Sequence, residues 1–356
     1  MNKQDALDLL KRLTEAHGAP SAEGEVRDIF RQELPNVQPI DKTGSIACEL
    51  AGPDGPRVMI EAHMDEIGFM VRQITKYGFL QFTTLGGWWG HSMLAQRVRI
   101  LTREQGEILG IIAAKPPHFL SDDERKQVQK PEAMYIDVGA KSADEVRSWG
   151  IDIGDVIVPD SPFTQMHDPD MLLCKAFDNR VGCGLVIQTL QEADQQRPNT
   201  LIGVGAVQEE VGCRGAITAT NAVRPDVAII MEGTPADDGP GSPRDEAQGM
   251  IGDGPQIRIM DPTAIMNRPL VNWIKDLAEA NSIPLQIAVR TSGGTDAKSV
   301  HLSQLGVPTV VIGVPARYIH THCSMIHLDD YLATLKLTTL IANNLDQAIV
   351  DSFTDF

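Results

Sequence analysis

The sequence predicts an α/β protein: a mostly parallel sheet sandwiched by helices, interrupted by a small inserted β-barrel domain. Three observations predict it. From Lys175 onward, helical periodicity alternates with short buried strands, the pattern of a layered α/β architecture with a mostly parallel sheet. Between about Arg72 and Thr164 the chain is a series of short β-like segments separated by Gly-rich turns, which suits a small barrel or sandwich. The length, 356 residues of which 42% are hydrophobic and 22% charged, fits two domains or one large domain with an insertion.

Taken in order, residues 5–16 form an amphipathic helix with Leu9, Leu10 and Leu13 on one side, ended by Gly18-Ala19-Pro20. Ser21 is expected to cap a second helix that runs through Leu34 and closes at Pro35. Val58-Met59-Ile60 is a short buried strand running into His63. Within the insert, strands are expected at 78–82, 97–100, 108–112 and 134–138, with one helix at 142–149 and an exposed charged loop or helix at 121–130. Helices follow at 180–193, 215–221 and 269–280, strands at 201–207, 227–231, 285–290 and 309–313, and one long helix, 329–350, closes the chain. The expected organisation is one α/β domain, 1–68 and 166–356, interrupted by a β-rich domain, 69–165.

Charge and cysteine content narrow the function. With 31 Lys+Arg against 48 Asp+Glu the net charge is −17, so there is no basic surplus to track phosphates, and nucleic acid is not expected as a partner. No apolar run approaches the roughly 20 residues of a membrane span, and Met1-Asn2-Lys3-Gln4-Asp5 lacks the apolar core of a signal peptide. The five cysteines are scattered without a CxxC pair, so neither a disulfide framework nor a zinc ribbon is expected, and the reading is a reducing cytoplasm.

In open α/β sheets ligands collect beyond the carboxyl ends of the strands. Those ends here are rich in metal-ligand residue types: His63-Met64-Asp65, Gln208-Glu209-Glu210, Glu232 and, through a short loop, His320, with Asp178-Asn179 in the turn before a helix. Singly, each has an ordinary reading, Asp178 as a helix cap and Glu209-Glu210 as solvated carboxylates. Together, two imidazoles and three carboxylates suit a pair of divalent cations such as zinc, cobalt or manganese, about 3.5–4 Å apart and sharing an activated water. Asp65 is placed to accept the second His63 proton and fix its tautomer, which leaves one carboxylate of Glu209-Glu210 for other work.

These motifs resemble the glutamyl aminopeptidase/tetrahedral aminopeptidase family of dinuclear metallopeptidases, over nearly the whole chain. The carriers are Glu61-Ala62-His63-Met64-Asp65-Glu66-Ile67-Gly68, Ala176-Phe177-Asp178-Asn179-Arg180, Val207-Gln208-Glu209-Glu210-Val211-Gly212, Ser292-Gly293-Gly294-Thr295-Asp296-Ala297 and Arg317-Tyr318-Ile319-His320. The resemblance implies a zinc-peptidase-like fold and a metal-dependent aminopeptidase that removes N-terminal residues from peptides. It implies Asp178 as the bridging ligand, His63 and Glu232 completing one site, Glu210 and His320 the other, Glu209 as general base and Asp65 orienting His63. It also implies self-association through the inserted domain, as a dodecamer built from dimers. This chain departs from the family in having Glu232 where Asp is frequent, and His320-Thr321-His322 where His-Ser-Pro is frequent, which offers His322 as a second imidazole. Gly293-Gly294-Thr295-Asp296 is expected near the active site, and Trp88-Trp89 after Gly86-Gly87 is read as packing or interface. The rival readings are a related amide hydrolase, such as an N-acyl-amino-acid deacylase, a glycoside hydrolase using Glu209 and Glu210, and a non-enzymatic binding module.

Overall fold

A computed structural model describes residues 3–354. Among them, a nine-stranded sheet runs in the order Gln38–Pro39, Ile46–Leu50, Thr200–Ala206, Arg57–His63, Val227–Pro235, Thr309–Ala316, Gln256–Asp261 and Ala264–Ile265, with Gln286–Val289 pairing Gln256–Asp261 off this path. The four central strands, Thr200–Ala206 through Thr309–Ala316, are mutually parallel, while Ile46–Leu50 and Gln256–Asp261 join them antiparallel on either side. Parallel strands are buried on both faces and read as continuous apolar runs; Val227–Pro235 and Thr309–Ala316 are buried almost throughout. Helices Lys3–Glu15, Phe177–Glu192 and Leu328–Asn344 pack together against the central strands, and Arg214–Val223 with Ala297–Val300 forms a second group.

The insert closes into a six-stranded barrel, Gly68–Ile74, Phe79–Leu85, Tyr135–Asp137, Gly106–Ala113, Arg97–Thr102 and Val156–Pro159. Its apolar core, built around Phe69, Leu80, Ile100, Ile136 and Ile157, is separate from that of the α/β part. The barrel begins five residues after His63, so its first strand issues almost directly from the central strand Arg57–His63.

Three sequence expectations are corrected. Ser21 does not cap the second helix: it lies at φ +79, and Gly24–Glu33 starts at Glu23, whose carboxylate reaches back to the Ser21 N–H at 2.9 Å. The closing helix is two helices, Leu328–Asn344 and Gln347–Ser352, because Asp346 is extended and caps the second through the Ile349 N–H. The strand expected at 227–231 continues to Pro235, so Glu232 stands inside it rather than beyond its end. The charged run at 121–130 contains a short helix, Asp122–Arg125, opened by a reciprocal Ser121–Glu124 capping box.

Candidate active site

All seven residues expected at the site converge at the carboxyl edge of the parallel strands. Six of them, all but the fully buried Asp65, border a cleft of about 550 Å³ also lined by Cys213, Arg258, Thr263, Arg290 and Lys298. His63 Nε2 lies 3.3 Å from Asp178 Oδ1, 3.7 Å from Glu232 Oε2 and 3.9 Å from Glu209 Oε2. On the other side, His320 Nε2 lies 3.4 Å from Asp178 Oδ2 and 3.6 Å from Glu210 Oε2. The two oxygens of Asp178 are thus divided between two imidazoles.

Asp178 is free for this because the helix cap falls to its neighbour: Asn179 Oδ1 accepts the Gly182 N–H at 3.1 Å, and its amide donates to the Met231 carbonyl at 2.7 Å. Asp65 does more than the sequence suggests. Its carboxylate oxygens accept the backbone N–H groups of Glu209 and Glu210 at 3.0 and 3.1 Å, fixing the turn that presents both glutamates. The nearest acceptor for His63 Nδ1 is the Asp65 backbone carbonyl at 3.1 Å, with the carboxylate at 3.5 Å. Either oxygen can only accept, so Nδ1 carries a proton, and in the neutral ring Nε2, which faces the carboxylates, is the nitrogen left to bind a cation.

His322, the other imidazole of its motif, stays outside the set. Its buried ring meets Trp88 edge-on at 5.1 Å, and burial, only partly opposed by the Ser92 backbone, pushes its pKa down to about 4. His327 caps Leu328–Asn344 through the Asp329 N–H. Beside the ligand set stand Cys213, whose thiol lies 3.3 Å from Glu209 Oε1, and two fully buried carboxyls, Glu61 and Asp296, the latter in the motif expected near the active site. Glu61 was visible as a lone acid in the apolar run Val58-Met59-Ile60-Glu61-Ala62; Asp296 reaches it only through tertiary folding.

Crowding these carboxyls away from water disfavours their charged forms. Burial pushes Glu209 up to about 8 against the opposing His63, and pushes Glu210 well up against His320. Burial also raises Glu232, lifts Glu61 to about 8 and carries Asp296 well above the usual range. Burial lowers imidazole pKa values, yet the surrounding carboxylates lift His63 well above its ordinary range and His320 to about 10. For Asp178 burial is outweighed by the two imidazoles, which hold it well below the usual carboxylate range.

Such a cluster is what a cation site looks like without its counter-charge. Zinc-type ions bind imidazole nitrogen and carboxylate oxygen at about 2.0–2.1 Å, which puts neighbouring ligand atoms about 3.3 Å apart in tetrahedral geometry. The spacings of 3.3–3.7 Å around His63 and 3.4–3.6 Å around His320 are close to that. The donor set therefore fits divalent cations.

The family model for M42 glutamyl aminopeptidase matches residues 44–337. The chain belongs to this family. It is 34% identical over 349 residues to the glutamyl aminopeptidase of Lactococcus lactis subsp. cremoris, covering 96% of this chain and 97% of that one. The TET aminopeptidase of the marine sediment archaeon Thaumarchaeota archaeon SCGC AB-539-E09 superposes with a TM-score of 0.95 at 39% identity, over 99% and 100% of the two chains. The Pyrococcus horikoshii TET1 peptidase, described as assembling into a tetrahedron or a large octahedral shell, superposes with a TM-score of 0.84 at 29% identity, over 96% and 100%. This M42 chain is a metal-dependent aminopeptidase, a hydrolase of peptide bonds. No helix among its described residues is long and apolar enough to cross a membrane.

Proposed function

We propose that this M42 aminopeptidase works through two divalent cations, zinc, cobalt or manganese, bridged by Asp178, with His63 and Glu232 on one side and Glu210 and His320 on the other. The observation that carries this is the division of Asp178, Oδ1 at 3.3 Å from one imidazole and Oδ2 at 3.4 Å from the other. Cations held there supply Lewis acidity and lower the pKa of an attacking water. Glu209 is the general base: it takes the proton of that water and passes it to the leaving amine. Two contacts support this division of labour. Glu210 groups with His63 and Asp178, donor atoms within 4.8 Å of one another, whereas Glu209 groups with Cys213 and Asp296. Asp65 holds both glutamates side by side on one turn, which argues against the paired-carboxylate glycosidase reading, where the carboxyls face each other across a sugar.

The substrate is the N-terminus of a peptide. Besides the ligand set the cleft is lined by Arg258, Arg290 and Lys298. Arg258 is paired with Asp261 and Arg290 with Asp237, while Lys298 has no acidic partner among the described residues. This wall favours an acidic side chain on the N-terminal residue. The setting is the cytoplasm, where five free thiols stay reduced. A panel of amino-acid nitroanilides and N-acyl amino acids, before and after chelation, tests the reading. Chelator-sensitive cleavage of nitroanilides, best for glutamyl, is expected; turnover of the N-acyl compounds instead would overturn it.

A further inference from the structure

The turn Gly86-Gly87-Trp88 belongs to the barrel, yet it reaches the cleft of the α/β part. Gly87 lines that cleft, and its carbonyl oxygen lies 2.8 Å from His320 Nδ1. A carbonyl only accepts, so Nδ1 carries a proton and, in the neutral ring, Nε2, the atom facing Asp178 and Glu210, is the nitrogen left with a lone pair for a cation. The neighbouring backbone leaves no room for a side chain beside Glu210. Gly86 lies at φ +84, and a Cβ there would stand 2.5 Å from Ile67 Cγ2 and 2.9 Å from Glu210 Oε2. A Cβ on Gly87 would stand 3.2 Å from His320 Nδ1. The turn is itself clamped: Trp88 Nε1 donates to the Gly68 carbonyl at 3.1 Å, and its ring stacks on Phe69 at 4.5 Å and meets His322 at 5.1 Å. Gly68 and Phe69 open the strand that issues from the His63 segment, so the clamp ties the turn to both sides of the ligand set.

We propose that this barrel turn is the positioning element of the second cation site: the Gly87 carbonyl sets the tautomer and ring orientation of His320, and the Gly86 backbone walls in Glu210. The inference rests on the reading of His320 and Glu210 as ligands. It makes the inserted barrel part of the active site, and it gives the Gly-Gly-Trp motif a role beyond packing. Partners that hold a ligating imidazole typically account for 10–100-fold in metal affinity.

The test is a Co²⁺ titration of the metal-stripped full-length protein, followed by calorimetry and by visible absorption of the bound cobalt. Wild type, Gly87→Ala, Gly86→Ala, Trp88→Phe and His320→Ala are compared, with thermal melts to confirm folding. Gly87 is not at positive φ, so Gly87→Ala carries the test if the strained Gly86→Ala fails to fold. In Gly87→Ala one of two binding events is expected to weaken about 10–100-fold, with an altered cobalt spectrum and the other event unchanged. Trp88→Phe, which keeps a ring but loses the donor to Gly68, should weaken the same event to a smaller degree. Two wild-type events and a wild-type spectrum in Gly87→Ala would overturn the proposal. His320→Ala should abolish one event; if it binds two ions as tightly as wild type, the ligand reading itself fails, whatever the glycine variants do.

Discussion

Glu209 and Glu210 are adjacent, chemically identical and fixed by the same Asp65 carboxylate, yet the geometry gives them different neighbours. Glu209→Gln keeps the shape but cannot accept a proton. Its metal content should stay at the wild-type level while kcat falls about 10²–10⁴-fold with KM little changed. Metal lost from Glu209→Gln and retained in Glu210→Gln would exchange the two roles; unchanged turnover would remove the mechanism. At this scale the sequence was informative where residue type and strand end coincide, as at His63, Glu209-Glu210 and His320. It was silent where a backbone atom does the orienting, because a carbonyl such as that of Asp65 or Gly87 has no signature in the choice of side chain. It was equally silent on the Glu61–Asp296 pair, joined across 235 positions by the packing of the central strand against the 292–297 turn.

Four parallel strands deliver the site, and each brings a titratable group to the same edge. Their combined electrostatics give a pH dependence. In the metal-free protein Glu61 and Glu209 are raised from 4.5 to about 8, and His320 from 6.5 to about 10. Every one of these folded pKa values lies above its unfolded value, so the stability they contribute is complete below the unfolded values and is lost as pH rises through the folded ones. Thermal melts of chelator-stripped protein should therefore show Tm falling from about pH 5 towards pH 10. Cation uptake requires the ionised carboxylates, so it should release protons and strengthen as pH rises, which calorimetry in two buffers of different ionisation enthalpy measures. Stripped protein that gains stability over that range would contradict the electrostatic account. Strand and helix alternation was legible because burial on both faces leaves continuous apolar runs. The break after Asn344 was not, since the apolar pattern continues through it and only the Asp346 cap marks the stop.

On the scale of the molecule, the barrel was legible as a change of rhythm between about 72 and 164, although its first and last strands, Gly68–Ile74 and Val156–Pro159, merge into the neighbouring text. Its outer surface shows Tyr77, Trp89, Leu109, Ile111 and Phe119 exposed, and Leu109 and Ile111 alternate outward on one strand. Exposed apolar side chains that adjoin one another, as Leu109 and Ile111 do, mark candidate interaction surfaces, although others such as Ile265, Leu302 and Leu305 are exposed on the α/β part. The Pyrococcus horikoshii TET1 peptidase is described as assembling into a tetrahedron or a large octahedral shell; for this chain, the dodecamer built from dimers that the sequence resemblance implies is an expectation to be tested on this surface. Light scattering should report a particle near twelve subunits, and charged substitutions at Leu109 and Ile111 should shrink it; a fully active 38.8 kDa monomer at micromolar concentration would refute the assembly. The central claim is that one carboxylate, Asp178, joins two cation sites, and it is tested most directly by counting metal per chain in wild type and Asp178→Ala by plasma mass spectrometry, alongside turnover. Two ions in wild type and close to none in the variant, with activity lost, is the expected result. An Asp178→Ala protein that keeps two tightly bound ions and normal turnover would contradict it.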